Sequence, residues 1–241
     1  MRLIDQIYTD HPYYGSPRIT HQLKRTGLTI NHKRVERLMR VMGIQGLYPK
    51  PKTSIPAPNH AIYPYLLTNL NMIKPNQVWG TDITFIPTIH GWLYLVAILD
   101  WYARYVVSWQ LSSTLDSAFC ITTLQQALRT AQPDIHNSDQ GCQFTSENYV
   151  AVLHEYPNIQ ISMDHRGRCF DNIFTERLWR TVKYEEVYLK EYTSFSDAQQ
   201  SLHTYFHTYN HDRLHSALQY KTPAEVYFAS AATKKPKIDL C

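Results

Sequence analysis

Over the first forty residues, apolar positions recur three and four apart, the spacing of one face of a helix. Leu3, Ile4, Ile7 and Tyr8 form the first such stripe. "GSPRITHQLKRTG" (15–27) predicts a second helix, with Ser16 as N-cap, Pro17 at the first helical position and Gly27 at the end. "NHKRVERLMRVMG" (31–43) repeats the logic: Asn31 caps, Val35, Leu38, Met39 and Met42 make the stripe, and Gly43 closes. Residues 49–75 then hold six of the thirteen prolines. Neither a continuous helix nor a central strand tolerates that density, so this stretch reads as a linker.

From residue 77 the periodicity shortens. "QVWGTDITFIP" (77–87) reads as a strand, and "IHGWLYLVAILDW" (89–101) as a turn at His90-Gly91 followed by a more buried strand. "RYVVSWQL" (104–111) is a third strand, "TLDSAFCITTLQQALRT" (114–130) a helix, and "PDIHNSD" (133–139) a short strand ending in an aspartate. A helix over 145–156, capped by Thr145 or Ser146, and a strand at 158–163 follow. A long helix from Asp171 to Lys190 and another from Ser196 to Tyr209 complete the series. Three strands in a meander, then alternating helix and strand, predict an α/β chain: a mixed sheet flanked by helices, preceded by a small all-α segment.

Composition narrows the class. With 44% apolar residues and 13% aromatics the chain can bury a sizeable core. Its longest apolar run, "LYLVAIL" (93–99), is too short to span a bilayer. No basic-then-apolar leader opens it, and its four cysteines include no C-x-x-C pair. The expectation is a cytoplasmic protein with no membrane partner. The net charge of +4 is unevenly placed: residues 1–50 carry nine Lys/Arg against three Asp/Glu, and residues 76–241 thirteen against seventeen. The second and third helices, joined by a Gly turn, resemble a helix-turn-helix. Lys33, Arg34 and Arg37 on the latter are the expected DNA contacts.

Asp82 is out of place in an apolar strand. An isolated buried carboxylate is costly unless paired, protonated or bound to metal, so Asp82 either leaves the strand or belongs to a site. Asp139, at the end of its strand, raises the same question, because strand ends of open α/β sheets hold ligands. Glu176 is a third candidate. On a helix, Glu176, Arg180 and Lys183 fall within roughly 60° of arc, away from Phe174, Leu178 and Val182. Such a trio suits phosphoryl transfer, in which carboxylates on separate elements hold two hard divalent cations. Spacing alone does not separate it from three unrelated acids among twenty.

The strings "VWGTDITFIP", "NSDQGCQFTS", "ISMDHRGRCFDNIFTERLWRTVKYEEVYL" and "YNHDRLHSALQYKTPAEVY" resemble, in order, the blocks of bacterial insertion-sequence transposases with a DDE integrase core, of the superfamily that includes retroviral integrase. "YYGSPRITHQLKRTGLTINHKRVERLMRVMGIQGLYPKPKTS" resembles the helix-turn-helix segment that precedes that core. The resemblance implies a ribonuclease H-like fold and a catalytic Asp82, Asp139, Glu176 triad binding Mg²⁺ or Mn²⁺, two ions in all. It implies DNA contact at Lys183, with Arg180 beside it. It divides the chain into a helix-turn-helix-like segment (1–48), a Pro-rich linker (49–75), a catalytic core (76–232) and a tail (233–241). The implied function is metal-dependent DNA cleavage and strand transfer, with a catalytically dead DNA-binding relic and a ribonuclease H-like nuclease as rivals. The implied partners are DNA (element ends and target), further copies of the chain, and the upstream-frame protein of the same element. The thirty-six residues between Asp139 and Glu176 are one more than the family's usual number, and "EYPNIQ" (155–160) is the expected place of the extra one.

Other features have blander readings. His203, His207, His211 and His215 recur every four residues, the spacing of a metal site on a helix, but Asn210 and Asp212 are expected to end the helix among them. Cys142 and Cys169 lack a base at a recognisable offset. Trp179 is the best candidate for base stacking, with core packing the commoner role.

Overall fold

The computed structural model describes residues 1–48, 62–164 and 172–232. Residues 49–61 of the expected linker, the start of the helix at Asp171, Cys169, Cys241 and the expected tail lie outside the described residues. The chain divides into two compact units, Met1–Ala57 and Pro58–Cys241.

The first unit contains α1 (Arg2–Asp10), α2 (Ser16–Arg25) and α3 (His32–Val41). Ile4, Ile19, Leu23, Val35 and Met39 form its core, one stripe from each helix. Asn31 caps α3 as expected, its side chain accepting from the Lys33 N–H at 3.1 Å. Gly15, not Ser16, occupies the N-cap of α2, and the Ser16 carbonyl instead accepts from the Thr20 hydroxyl.

The second unit is built on a five-stranded sheet in the order β3-β2-β1-β4-β5. β1 (Val78–Thr88), β2 (Gly91–Asp100) and β3 (Val106–Ser112) form an antiparallel meander. β4 (Ile135–Ser138) and β5 (Gln160–Met163) continue it in parallel from β1. Alternation along the strands feeds two cores. Trp79, Val96 and Ile98 face α4 (Ala118–Thr130) and α5 (Glu147–His154). Val78, Ile86, Leu95 and Leu99 pack with Leu178 and Val182 of α6 (Ile173–Glu185) and Leu202 and Phe206 of α7 (Phe195–His211). Period-two alternation therefore turns Asp82, in phase with Val78 and Ile86, towards the face that α6 covers.

Several boundaries shift for local reasons. The hairpin turn is Ile89-His90, one residue earlier than expected, with Thr88 paired to Gly91. Asp116 holds α4 back to Ala118 by accepting that residue's N–H at 3.0 Å. α6 stops at Glu185 because Glu186 turns inward, its carboxylate accepting from Lys190, Tyr192 and Ser201. α8 (Pro223–Ala232) follows α7 with no expectation behind it. Within the expected linker, Leu67 is buried, and Leu66, Leu70 and Met72 pack against the α6–α7 core. α7 is tied to the sheet by Asn210, whose amide accepts from the Val106 N–H at 2.9 Å and donates to the Val106 carbonyl at 3.0 Å.

Candidate active site

Asp82, near the middle of β1, and Asp139, just beyond the end of β4, are brought together. Burial, then the charge of Asp139, push the Asp82 carboxyl up to about 7. Two donors oppose that rise: the Ile83 N–H at 2.8 Å and the Trp179 indole N–H at 3.0 Å. Asp139 is also raised, by burial, against the Gly141 N–H that donates to its Oδ1 at 2.9 Å. A Cβ on Gly141 would lie 2.8 Å from that oxygen, so a side chain here would push the carboxylate off its donor.

α6 lies unusually close to β1. A Cβ on Gly80 would run into the Trp101 indole nitrogen and lie 2.8 Å from the Thr175 hydroxyl of α6. The same indole donates to Thr175 at 3.4 Å, and the Asn172 amide donates to the Thr81 carbonyl at 3.4 Å. Trp179 belongs to the core, the commoner role expected of it, and its bond to Asp82 is the part that the sequence did not announce. Its position one turn after Glu176, between the stripe of Leu178 and Val182 and that of Glu176 and Lys183, was the available signal.

Glu176 is exposed, one turn before Trp179 on α6. Arg180 is exposed too, its guanidinium 5.9 Å from the Tyr184 ring, and Lys183 is half-buried. The structure does not draw the Glu176 carboxylate against the two aspartates: among the described residues no three His, Cys, Asp or Glu side chains gather closely enough to hold a metal ion. That statement also covers the histidine row. His207 and His211 approach to 4.7 Å on α7, while His215 has left the helix. Cys142 is exposed and unpaired in any disulfide.

A fourth acid, Asp164, follows β5 and adds to the negative field on Asp82. It accepts from the Asn137 amide at 2.8 Å, and Asn137 accepts from the Ser162 hydroxyl at 2.8 Å, so the strand ends are cross-braced. In the first unit, Lys33, Arg34 and Arg37 are exposed on α3, whereas Arg40 pairs with Glu36 at 3.6 Å. No described helix is long and apolar enough to cross a membrane.

A mixed sheet with paired acids at its centre and an all-α unit before it is the plan of an integrase-type core. Solved structures agree on the fold. A simian T-cell lymphotropic virus intasome in complex with PP2A regulatory subunit B56 gamma superposes with a TM-score of 0.56 at 16% identity, covering 98% of this chain and 76% of the other. The HTLV-2 integrase catalytic core domain in complex with magnesium gives 0.53 at 18%, covering 65% and 99%. Residues 1–52 match the HTH-like domain family, and residues 73–169 and 157–223 match integrase core domain families. The transposase for insertion sequence element IS904 of Lactococcus lactis subsp. lactis (strain IL1403) is 33% identical, over 92% of this chain and 90% of its own length. The putative transposase InsK for insertion sequence element IS150 of Escherichia coli (strain K12) is 31% identical, over 92% and 80%. The chain belongs to the insertion-sequence transposases with an integrase core.

Proposed function

We propose that this chain cuts and joins DNA strands during insertion-sequence transposition at a divalent-metal centre held by Asp82, Asp139 and Glu176. The observation that carries this reading is the Asp82–Asp139 pair: two half-buried, desolvated carboxylates, the charge of Asp139 adding to the rise in the proton affinity of Asp82, neither of them in an ion pair among the described residues. Hard oxygen donors with excess negative charge suit Mg²⁺ or Mn²⁺. When bound, two such ions would activate the attacking hydroxyl and stabilise the departing oxygen.

The chain's own residues supply position and charge. Trp179 holds one oxygen of Asp82, Gly141 holds one of Asp139, and the close seat of α6 on β1 limits where Glu176 can reach. Arg180 and Lys183, on the Glu176 stripe, hold the phosphodiester. In the first step a water oxygen bonds to phosphorus and the bond to the 3′ oxygen breaks, leaving a 3′-hydroxyl and a 5′-phosphate. In the second, that hydroxyl attacks a phosphodiester of another strand and displaces its 3′ oxygen. Catalysis is then mainly positioning and electrostatic stabilisation. Lys33, Arg34 and Arg37 of the first unit bind DNA, the working form is an oligomer on paired element ends, and the upstream-frame protein is a partner.

The test is nicking of supercoiled plasmid and cleavage of element ends in Mn²⁺, with wild type beside Glu176→Gln. Loss of both activities in the variant supports the triad. Equal activity in the two proteins removes Glu176 from it. Silence in both, with DNA binding retained, favours a DNA-binding relic, and cutting confined to RNA–DNA hybrids favours a nuclease.

A further inference from the structure

A cavity of about 330 Å³ lies between α6 and the segment following α7. Arg177 lines it, and since successive helical residues turn by about 100°, this flank of α6 differs from the one bearing Glu176. Three guanidiniums reach the cavity, and only one is committed. Arg213 donates twice to Glu185, at 2.8 and 2.6 Å, and stands 3.0 Å from His215. Burial, then Arg213, push His215 down to about 4, so that ring is neutral and adds no charge near pH 7.

Arg104 and Arg177 are different. Arg104 sits between β2 and β3 in the left-handed region at φ +59°, with its guanidinium 3.4 Å from the centre of the Phe174 ring. Its Nη1 is buried and has no hydrogen-bond partner among the described residues. The nearby Asp100 carboxylate is engaged by the Asn76 N–H at 2.6 Å and the Ala103 N–H at 2.7 Å. Arg177 repels Arg104, and among the described residues neither forms an ion pair. The cavity is also lined by Tyr209, a core residue covered by Arg213 and His215, and by the exposed Tyr220, which is left-handed at φ +59°.

Although the Asp100 charge lies near Arg104, two guanidiniums outside any ion pair among the described residues call for an oxyanion, which they bind through parallel N–H donors. Aromatic walls call for a planar ring. We propose that this cavity binds a nucleotide, its phosphate against Arg104 and Arg177 and its base against Tyr220. That the nucleotide belongs to a DNA strand rests on the transposase reading above; the chemistry of the cavity does not.

The test is photolabelling of the full chain in chelator, where the carboxylate centre is silent. One arm uses azidoadenosine monophosphate, the other a short single strand carrying one iododeoxyuridine, with adducts mapped by mass spectrometry. Adducts are expected on the peptide holding Tyr220. Loss of one charge-assisted contact should weaken them about tenfold in Arg177→Gln. Arg129→Gln, which removes an exposed charge from the last turn of α4, should leave them unchanged. Labelling in both arms or in the strand alone supports a strand nucleotide, and labelling by the mononucleotide alone supports a free nucleotide. Absent adducts, adducts confined to other peptides, or undiminished labelling of a folded Arg177→Gln would overturn the proposal. Nicking in Mn²⁺ by the same preparations reports separately on the carboxylates.

Discussion

Asp82, half-buried on β1, and Asp100, fully buried at the end of the neighbouring β2, both have their proton affinity raised by loss of solvent, to about 7 and about 6. What faces them differs. Asp100 accepts from the backbone of Asn76 and Ala103 and feels the positive charge of Arg104. Its charge is balanced, and its work is to fix the turn between β2 and β3. Asp82 accepts from Ile83 and Trp179 but faces Asp139 and, further off, Asp164. Its charge is left in excess. Loss of solvent alone does not mark a site; a desolvated carboxylate turned towards others of its kind does.

Asp82→Asn is the sharpest way to break this contrast. It should reduce metal-dependent cleavage about a thousandfold or more, since metal-centred charge stabilisation is worth several kcal/mol. Its melting temperature should hold or rise, because a like-charge neighbour of Asp139 is gone. Plasmid nicking and a thermal melt read the two effects.

A pH series without metal comes next. The folded chain keeps a proton on Asp82 up to about pH 7, whereas the unfolded chain releases it near 3.8, so the folded form binds more protons in between. Stability from this group is therefore full below the lower value and falls as pH rises through the upper one, by a few kcal/mol in order of magnitude. Asp100 slopes in the same direction, so the difference between wild type and Asp82→Asn isolates Asp82. Added Mn²⁺ should flatten the wild-type slope.

Asp100→Asn should do the reverse of Asp82→Asn. It turns an amide donor against backbone donors and should cost about 1–3 kcal/mol of stability. The specific activity of the folded fraction should stay near wild type. The smallest effect belongs to Trp179→Phe, which keeps the packing and removes one donor to Asp82. About 1 kcal/mol, or roughly fivefold in cleavage, is expected, with the acid limb of the pH–rate profile moving upward.

Much of this was legible in the chain. The three-strand meander, the Asn31 cap and the alternation that turns Asp82 towards α6 all follow from local pattern, where each signal reports on its own neighbourhood. The misses are mostly non-local. Trp179 reaches an aspartate ninety-seven positions away, and the role of Gly80 lies in how closely α6 approaches β1. Glu186 ends α6 because it is drawn to Tyr192 and Ser201, which sequence spacing does not announce. α8 is another matter, for its start was in plain view. The Thr222 N–H donates to Glu225, and the Glu225 N–H donates back to the Thr222 hydroxyl, a capping box across Thr-Pro-Ala-Glu.

The Asn210 clamp has a consequence for how the molecule keeps its own company. β3 is the outer strand on its side of the sheet, and an outer strand offers unpaired peptide groups to any passing chain. At Val106 both groups are taken by a side-chain amide that imitates the peptide of a further strand. The sheet is finished there with a counterfeit neighbour, and the chain is spared one route to association by β-stacking.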